Sequence, residues 1–110
     1  MNQMWIDEWS RKKALVKELA EVYNQSRWGF DIADIELKVY KKKEDNSDSR
    51  YHIEEFVMLT WDNGAISTAN NNANSLSATA RNIARMLDGG VYENLEYYTE
   101  IMESDEWESI

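Results

Sequence analysis

From Ile32 to about Lys43 the apolar residues fall at every second position. Ile35, Leu37 and Val39 alternate with Glu36, Lys38 and Tyr40. A period of two predicts a strand with one buried face. Arg50 to Trp61 repeats the pattern, with Tyr51, Ile53, Val57, Leu59 and Trp61 on one side. Between the two runs lies the polar, turn-forming stretch Glu44 to Ser49. Asp62-Asn63-Gly64 then predicts a hairpin, because Asn-Gly tolerates the positive φ angles of tight turns, and Ala65 to about Ala69 is a short third strand.

Outside this block the period changes to three and four. Asn2 can cap a helix running to about Arg27, with Trp5, Trp9, Val16, Leu19 and Tyr23 on its apolar side, joined by Leu15 and Val22. Gly29 supplies the stop. Ser75 or Ser77 can cap a second helix ending near Asp88, its inner face Leu76, Ala80, Ile83, Ala84 and Leu87. Gly89-Gly90 breaks it, and a third helix is expected over roughly Val91 to Glu103, with Leu95, Tyr98 and Met102 inward. The predicted fold is α+β: an N-terminal helix, a three-stranded antiparallel meander, and two C-terminal helices packed on the sheet. Helices on one face would cover the meander's apolar side. The chain of 110 residues reads as one domain over 1–110, with 104–110 as a candidate flexible acidic tail.

Composition narrows the chemistry. There is no Cys, which removes disulfides, Cys-ligated zinc, iron–sulfur clusters and thiol catalysis. A small domain without disulfide staples suits a reducing compartment, so a cytoplasmic location is expected. Met1 to Glu8 has no basic start and no apolar run, so no signal peptide is expected. No apolar stretch approaches the roughly 20 residues of a membrane span. There is no phosphate-cradling glycine loop, no nucleophile elbow and no zinc-protease motif. His52, the one histidine, lies on a predicted strand and has no evident nucleophile to serve. Asp45 to Phe56 fails as a calcium loop, with Arg50 where Gly is needed and Phe56 where a bidentate Glu is needed. Glu54 and Glu55 are neighbours in a strand and point to opposite faces, so they are no carboxylate pair. The chain is therefore expected to be a binding protein and not an enzyme, with no cofactor and no metal.

Charge is the informative feature. The net charge of −9 argues against direct nucleic-acid binding and against an anionic membrane, and it suits a basic protein partner. From residue 88 onward stand Asp88, Glu93, Glu96, Glu100, Glu103, Asp105, Glu106 and Glu108, with no Lys or Arg. The preceding 87 residues carry 13 acids against 12 bases, so the excess is local. Glu93, Glu96, Glu100 and Glu103 are spaced three, four and three, which places them in one stripe of a helix, recurring about every 5 Å along its axis. Such carboxylates repel one another, and the last two oppose the helix dipole. A local rule broken without evident compensation points to function; the alternative is an acidic solubilising tail. Asp88, Glu93, Glu96, Glu100, Glu103, Asp105, Glu106, Trp107 and Glu108 are the candidate partner-binding residues.

In size, acidity and element order the chain resembles small phage anti-CRISPR proteins, above all those that inhibit type II Cas9 by mimicking DNA. The hairpin around Asp62-Asn63-Gly64 and the acidic run from Asp88 to Glu108 carry the resemblance. It implies a role in blocking a defence nuclease, Cas9 or another basic nucleic-acid-binding protein, by occupying its DNA-binding or PAM-reading cleft. For a phage-encoded chain that would be in the host cytoplasm. The basic runs Arg11-Lys12-Lys13 and Lys41-Lys42-Lys43 depart from an all-acidic mimic. The alternative function is a small phage or mobile-element accessory protein acting as an interaction or assembly module. Its motivation is the five Trp, with Trp107 the expected exception to burial, since Trp is a frequent interface anchor.

Overall fold

The period-two residues do what strand geometry requires: Ile35, Leu37, Val39, Val57 and Leu59 are buried together on one face of paired strands. A computed structural model describes residues 3–24, 32–43, 52–71, 75–89 and 91–110. Along the chain run α1 (Gln3–Asn24), β1 (Ile32–Lys42), β2 (Ile53–Trp61), β3 (Ile66–Asn70), α2 (Leu76–Gly89), α3 (Leu95–Glu103) and β4 (Trp107–Ser109). The class is α+β, with three helices and an antiparallel sheet of order β3-β2-β1-β4 among the described residues. Three-strand order is thus extended by a fourth strand: β4 pairs with β1 through Tyr40 with Ser109, Lys41 with Glu108 and Lys42 with Trp107.

The β2–β3 hairpin is closed by Trp61 N–H donating to the Ala65 carbonyl and Gly64 N–H donating to the Trp61 carbonyl, both at 2.9 Å. Only Gly64 of the Asn-Gly pair takes a positive φ, at 87°. Asn63 instead accepts a hydrogen bond from Ala65 N–H through its side-chain oxygen, at 2.9 Å. The turn is therefore a three-residue loop ending in a left-handed glycine, not the two-residue mirror-image turn that Asn-Gly suggests.

A second correction concerns the helices. They do not share one face. α1 and α2 cover the face of Ile35, Leu37, Val39, Val57 and Leu59, burying Trp9, Val16, Ile83, Met86 and Leu87 against it. α3 lies on the opposite face, where Phe56, Tyr98 and Ile101 form a separate core, flanked by Tyr40, Met58, Met102 and Trp107. The Phe56 and Tyr98 rings stack at 4.1 Å, and Tyr40 continues the stack 6.0 Å from Phe56. Both sheet faces are apolar at their centre, so each needs a helix.

Side-chain directions also differ from expectation. On α1 Val22 is exposed, and the buried stripe is Trp9, Lys12, Val16 and Ala20. On α2 the Ser75 hydroxyl accepts from Ala78 N–H at 3.1 Å, as an N-cap should. Leu76 points outward, and the buried face is Thr79, Ile83, Met86 and Leu87. The strand β2 begins at Ile53, and α3 begins at Leu95. The calcium-loop reading of Asp45 to Phe56 falls largely outside the described residues.

α3 starts late because the residues before it are bonded elsewhere. Glu93 N–H donates to the Thr68 carbonyl at 2.8 Å, and the Thr68 hydroxyl donates to the Glu93 carbonyl at 3.0 Å. Asn94 then takes a left-handed φ of 62°, which Asn tolerates better than most residues. Residues 91–94 thus form a strap around the edge strand β3, carrying the chain from the α2 face to the α3 face.

Phe56→Ala would remove the ring sandwiched between Tyr40 and Tyr98. The expected cost is about 3–5 kcal/mol, read from urea unfolding, with α3 amides losing hydrogen-exchange protection more than those of α1.

Candidate functional site

All eight acids from residue 88 onward are exposed, but they do not form one continuous helical stripe. Asp88 sits at the end of α2 and Glu93 on the strap. Glu96, Glu100 and Glu103 project from α3 at four- and three-residue steps, opposite buried Tyr98 and Ile101. Met102 is half-buried and Leu95 is exposed, contrary to its expected inward position. Asp105 and Glu106 occupy the turn before β4. The Glu106 carbonyl accepts from Lys43 N–H at 2.9 Å, which anchors that turn to β1. Glu108 lies opposite Lys41 in the β1–β4 register.

Trp107 is half-buried against the Phe56–Tyr98 core, with the Lys42 ammonium 5.8 Å from its ring centre. Its position makes it part of the packing that fixes β4 rather than a free anchor. Of the other tryptophans, Trp9 is buried and Trp5 and Trp61 are half-buried, while Trp28 lies outside the described residues.

Lys17 and Lys38 are engaged away from α3. Lys17 pairs with Asp34 at 2.7 Å and Glu36 at 3.7 Å, and Lys38 pairs with Glu36 at 2.9 Å. The Lys17 hydrogen bond holds the Asp34 carboxyl below its usual range. Close to α3, by contrast, further negative charge collects. The Tyr97 hydroxyl donates to Glu54 at 2.9 Å, and partial burial together with that carboxylate pushes the phenol up to about 12. Burial also raises the Tyr98 phenol, and the Glu54 and Glu93 carboxylates add to the effect.

A polar cluster that sequence reading missed lies under α1. Lys12 belongs to a basic run in the sequence, but it is fully buried and sits 3.2 Å from Glu55 and 3.2 Å from Glu8. Glu55 also accepts from the Trp9 indole N–H at 2.7 Å and the Asn71 amide at 2.8 Å. Asn82 donates to the Asn71 carbonyl oxygen at 2.9 Å, and the Thr79 hydroxyl is 3.4 Å from the Asn71 amide. No buried side-chain polar atom among the described residues lacks a partner. Burial raises the Glu55 carboxyl above its ordinary value, with Lys12 acting against that rise. Lys12, Glu55, Asn71 and Thr79 are all enclosed, so the cluster offers no approach to a substrate and works as a structural tie.

Two open depressions lie among the described residues near the charged faces. A groove of ≈ 330 Å³ between α1, β1 and β4 is lined by Lys13, Lys17, Glu36 and Lys38 over an apolar floor of Leu37 and Val39. A shallow depression of ≈ 410 Å³ on α3 is lined by Asn94, Leu95, Glu96, Tyr97 and Glu100. Among the described residues no group of three or more His, Asp or Glu is placed to hold a metal ion. His52 is exposed at the start of β2. No helix is long and apolar enough to cross a membrane among the described residues. No protein-family model, curated protein or solved structure matches the chain. The site must be read from its own geometry, and the exposed carboxylates of α3 stand against the local rules of helix stability.

The buried pair makes a signed prediction. Because the folded state raises Glu55, it retains a proton that the unfolded chain releases, so this group's contribution to stability falls as pH rises from the ordinary carboxylate range. Lys12→Met removes the opposing cation and steepens that fall. Urea unfolding should show a loss of about 3–5 kcal/mol near about pH 8 and a smaller one near about pH 5. Lys12→Met/Glu55→Gln should recover most of it.

Proposed function

We propose that the protein is a non-enzymatic, acidic inhibitor that occupies the nucleic-acid-binding site of a basic partner protein, such as a type II Cas9 or another defence nuclease. The observation that carries the reading is the row Glu96, Glu100 and Glu103, exposed on the outward side of α3 and without an ion-pair partner among the described residues. Carboxylates on successive helical turns repel, by a few tenths of a kcal/mol per pair. Glu100 and Glu103 also face the unfavourable end of the helix dipole. A basic cleft that ordinarily takes phosphates would relieve both penalties. Glu93 and Glu54 widen the row towards the sheet, and Asp105 and Glu106 extend it towards β4, whereas Glu108 alternates with Trp107 and lies opposite Lys41 on the other face. The basic groove beside β1 lies among ion-paired residues and leaves the α3 face acidic.

Competition tests the reading. Guide-loaded Cas9 should lose target-duplex binding as the protein is added, and excess duplex should displace the protein. Glu96→Lys/Glu100→Lys should abolish the effect at about 0.15 M salt. Retention of inhibition by that variant would remove the electrostatic mechanism. The absence of displacement across Cas9 types would remove the nuclease assignment.

A milder variant separates function from folding. Glu96→Gln/Glu100→Gln/Glu103→Gln should unfold at an equal or slightly higher urea concentration, since like-charge repulsion is removed. Its binding should weaken and become less sensitive to salt. A triple variant that unfolds would show that the carboxylates serve the structure.

A further inference from the structure

The acidic face is not only acidic. Val91, Tyr92, Leu95 and Tyr97 keep 45%, 37%, 43% and 44% of their surface exposed. Singly exposed apolar residues are ordinary. These four fall within seven consecutive residues that also carry Glu93 and Glu96. On α3, Leu95 and Tyr97 lie on either side of the Glu96–Glu100 row, because each residue advances the helix by about 100°.

This surface is also held in place. The strap is bonded to β3 through both Glu93 backbone groups and Thr68. Tyr92 sets its ring edge-on to Trp61 at 6.1 Å. The Tyr97 phenol is fixed by Glu54, and α3 beneath is anchored by buried Tyr98 and Ile101. Pre-positioned aromatic and aliphatic side chains lose little entropy on contact, which is the property of an interface anchor.

We propose that residues 91–100 form a docking face for a basic amphipathic helix of a partner protein. Glu96 and Glu100 take its Lys or Arg residues, Leu95 and Tyr97, which line the same depression on either side of that row, take its apolar residues, and Val91 and Glu93 extend the contact along the strap. The inference rests on the reading that the acidic face binds a basic protein, and it adds that apolar side chains flank the carboxylate row within the contact. Charge selects the partner class, since this face offers carboxylates and repels nucleic acid and anionic lipid. The mode follows from the backbone: the strap already bonds the β3 edge at Thr68, which disfavours strand addition there and leaves side-chain contact in a shallow depression.

Two synthetic peptides of equal Lys content test this by titration calorimetry: one a Leu/Lys amphipathic helix, the other with every Leu replaced by Ser. The Leu/Lys peptide should bind at least about tenfold more tightly, and the difference should persist as salt is raised. Leu95→Ser/Tyr97→Ser should erase the difference while leaving the Ser/Lys peptide's affinity unchanged; Val91→Ser, far from the α3 core, should reduce it in part. Glu96→Lys/Glu100→Lys should weaken both peptides. Equal binding of the two peptides, or a difference that Leu95→Ser/Tyr97→Ser leaves intact, overturns the proposal. So does a dimer in sedimentation that this variant dissociates, which would assign the face to a second copy. If neither peptide binds while Cas9 is still inhibited, the docking proposal fails alone; if Cas9 is also untouched, the inhibitor reading fails with it.

Discussion

The Lys12–Glu55 pair is the interaction on which the arrangement depends. Glu55 gathers the α1 indole of Trp9, the α1 ammonium of Lys12 and the amide of Asn71 just after β3. Asn71 in turn meets Thr79 and Asn82 of α2. One carboxylate therefore connects both helices of that face to the sheet. Apolar packing is non-directional and would tolerate small slides of α1 along β1. A buried carboxylate is far less tolerant, because each lost donor leaves a charge without compensation in a medium that screens it poorly. The pair sets where α1 and α2 sit more than it adds to net stability, since desolvation offsets much of its attraction.

The same stretch of β2 organises the other face. Strand alternation sends Glu55 towards α1 and its neighbour Phe56 towards α3. Phe56 is fully buried beneath the Tyr98 ring, so α3 docks directly behind the polar tie. The strap at 91–94 makes this possible by taking the chain around the edge of β3, and its hydrogen bonds to Thr68 partly cover an edge that would otherwise invite pairing with another chain. β4 does the corresponding work on the opposite edge, over Tyr40 to Lys42.

Much of this was legible in the residues. Alternation located β1 and β2, Asp62-Asn63-Gly64 located the hairpin, and Ser75 or Ser77 bracketed the start of α2, which Ser75 caps. The two-sided sheet was also written in the strands: Tyr40, Phe56 and Met58 make the second face apolar, although the alternation of Ile35, Leu37 and Val39 draws attention to the first. Lys12 and Glu55 left a signal of the same kind. Lys12 falls between Trp9 and Val16 on the inner helical spacing, and Glu55 falls between Ile53 and Val57 on the inner strand spacing. Two opposite charges, each in an inward slot of its element, predict each other. β4 left no such trace, because three residues carry no periodicity and its pairing depends on where α3 delivers the chain. Leu95 and the strap escape the pattern for a related reason: periodicity does not reveal that Thr68 holds the backbone of Glu93.

The charge distribution acquires its meaning only in three dimensions. The 87 residues before the acidic segment are nearly balanced in number, 13 acids against 12 bases. In the fold several of these bases are tied to their own acids: Lys12 to Glu8 and Glu55, Lys17 to Asp34 and Glu36, Lys38 to Glu36. These pairs belong to α1, β1 and the inner face of β2. The unbalanced carboxylates lie mainly on the strap, α3 and the β4 turn, and Glu54 of β2 adds to the negative side through Tyr97. A Debye length at physiological salt is about 8 Å, so a partner at the α3 face senses mainly the charges of that face. The protein therefore presents a much more acidic surface there than its average composition suggests, and it does so beside apolar side chains whose positions the strap and the Phe56–Tyr98 stack have already set.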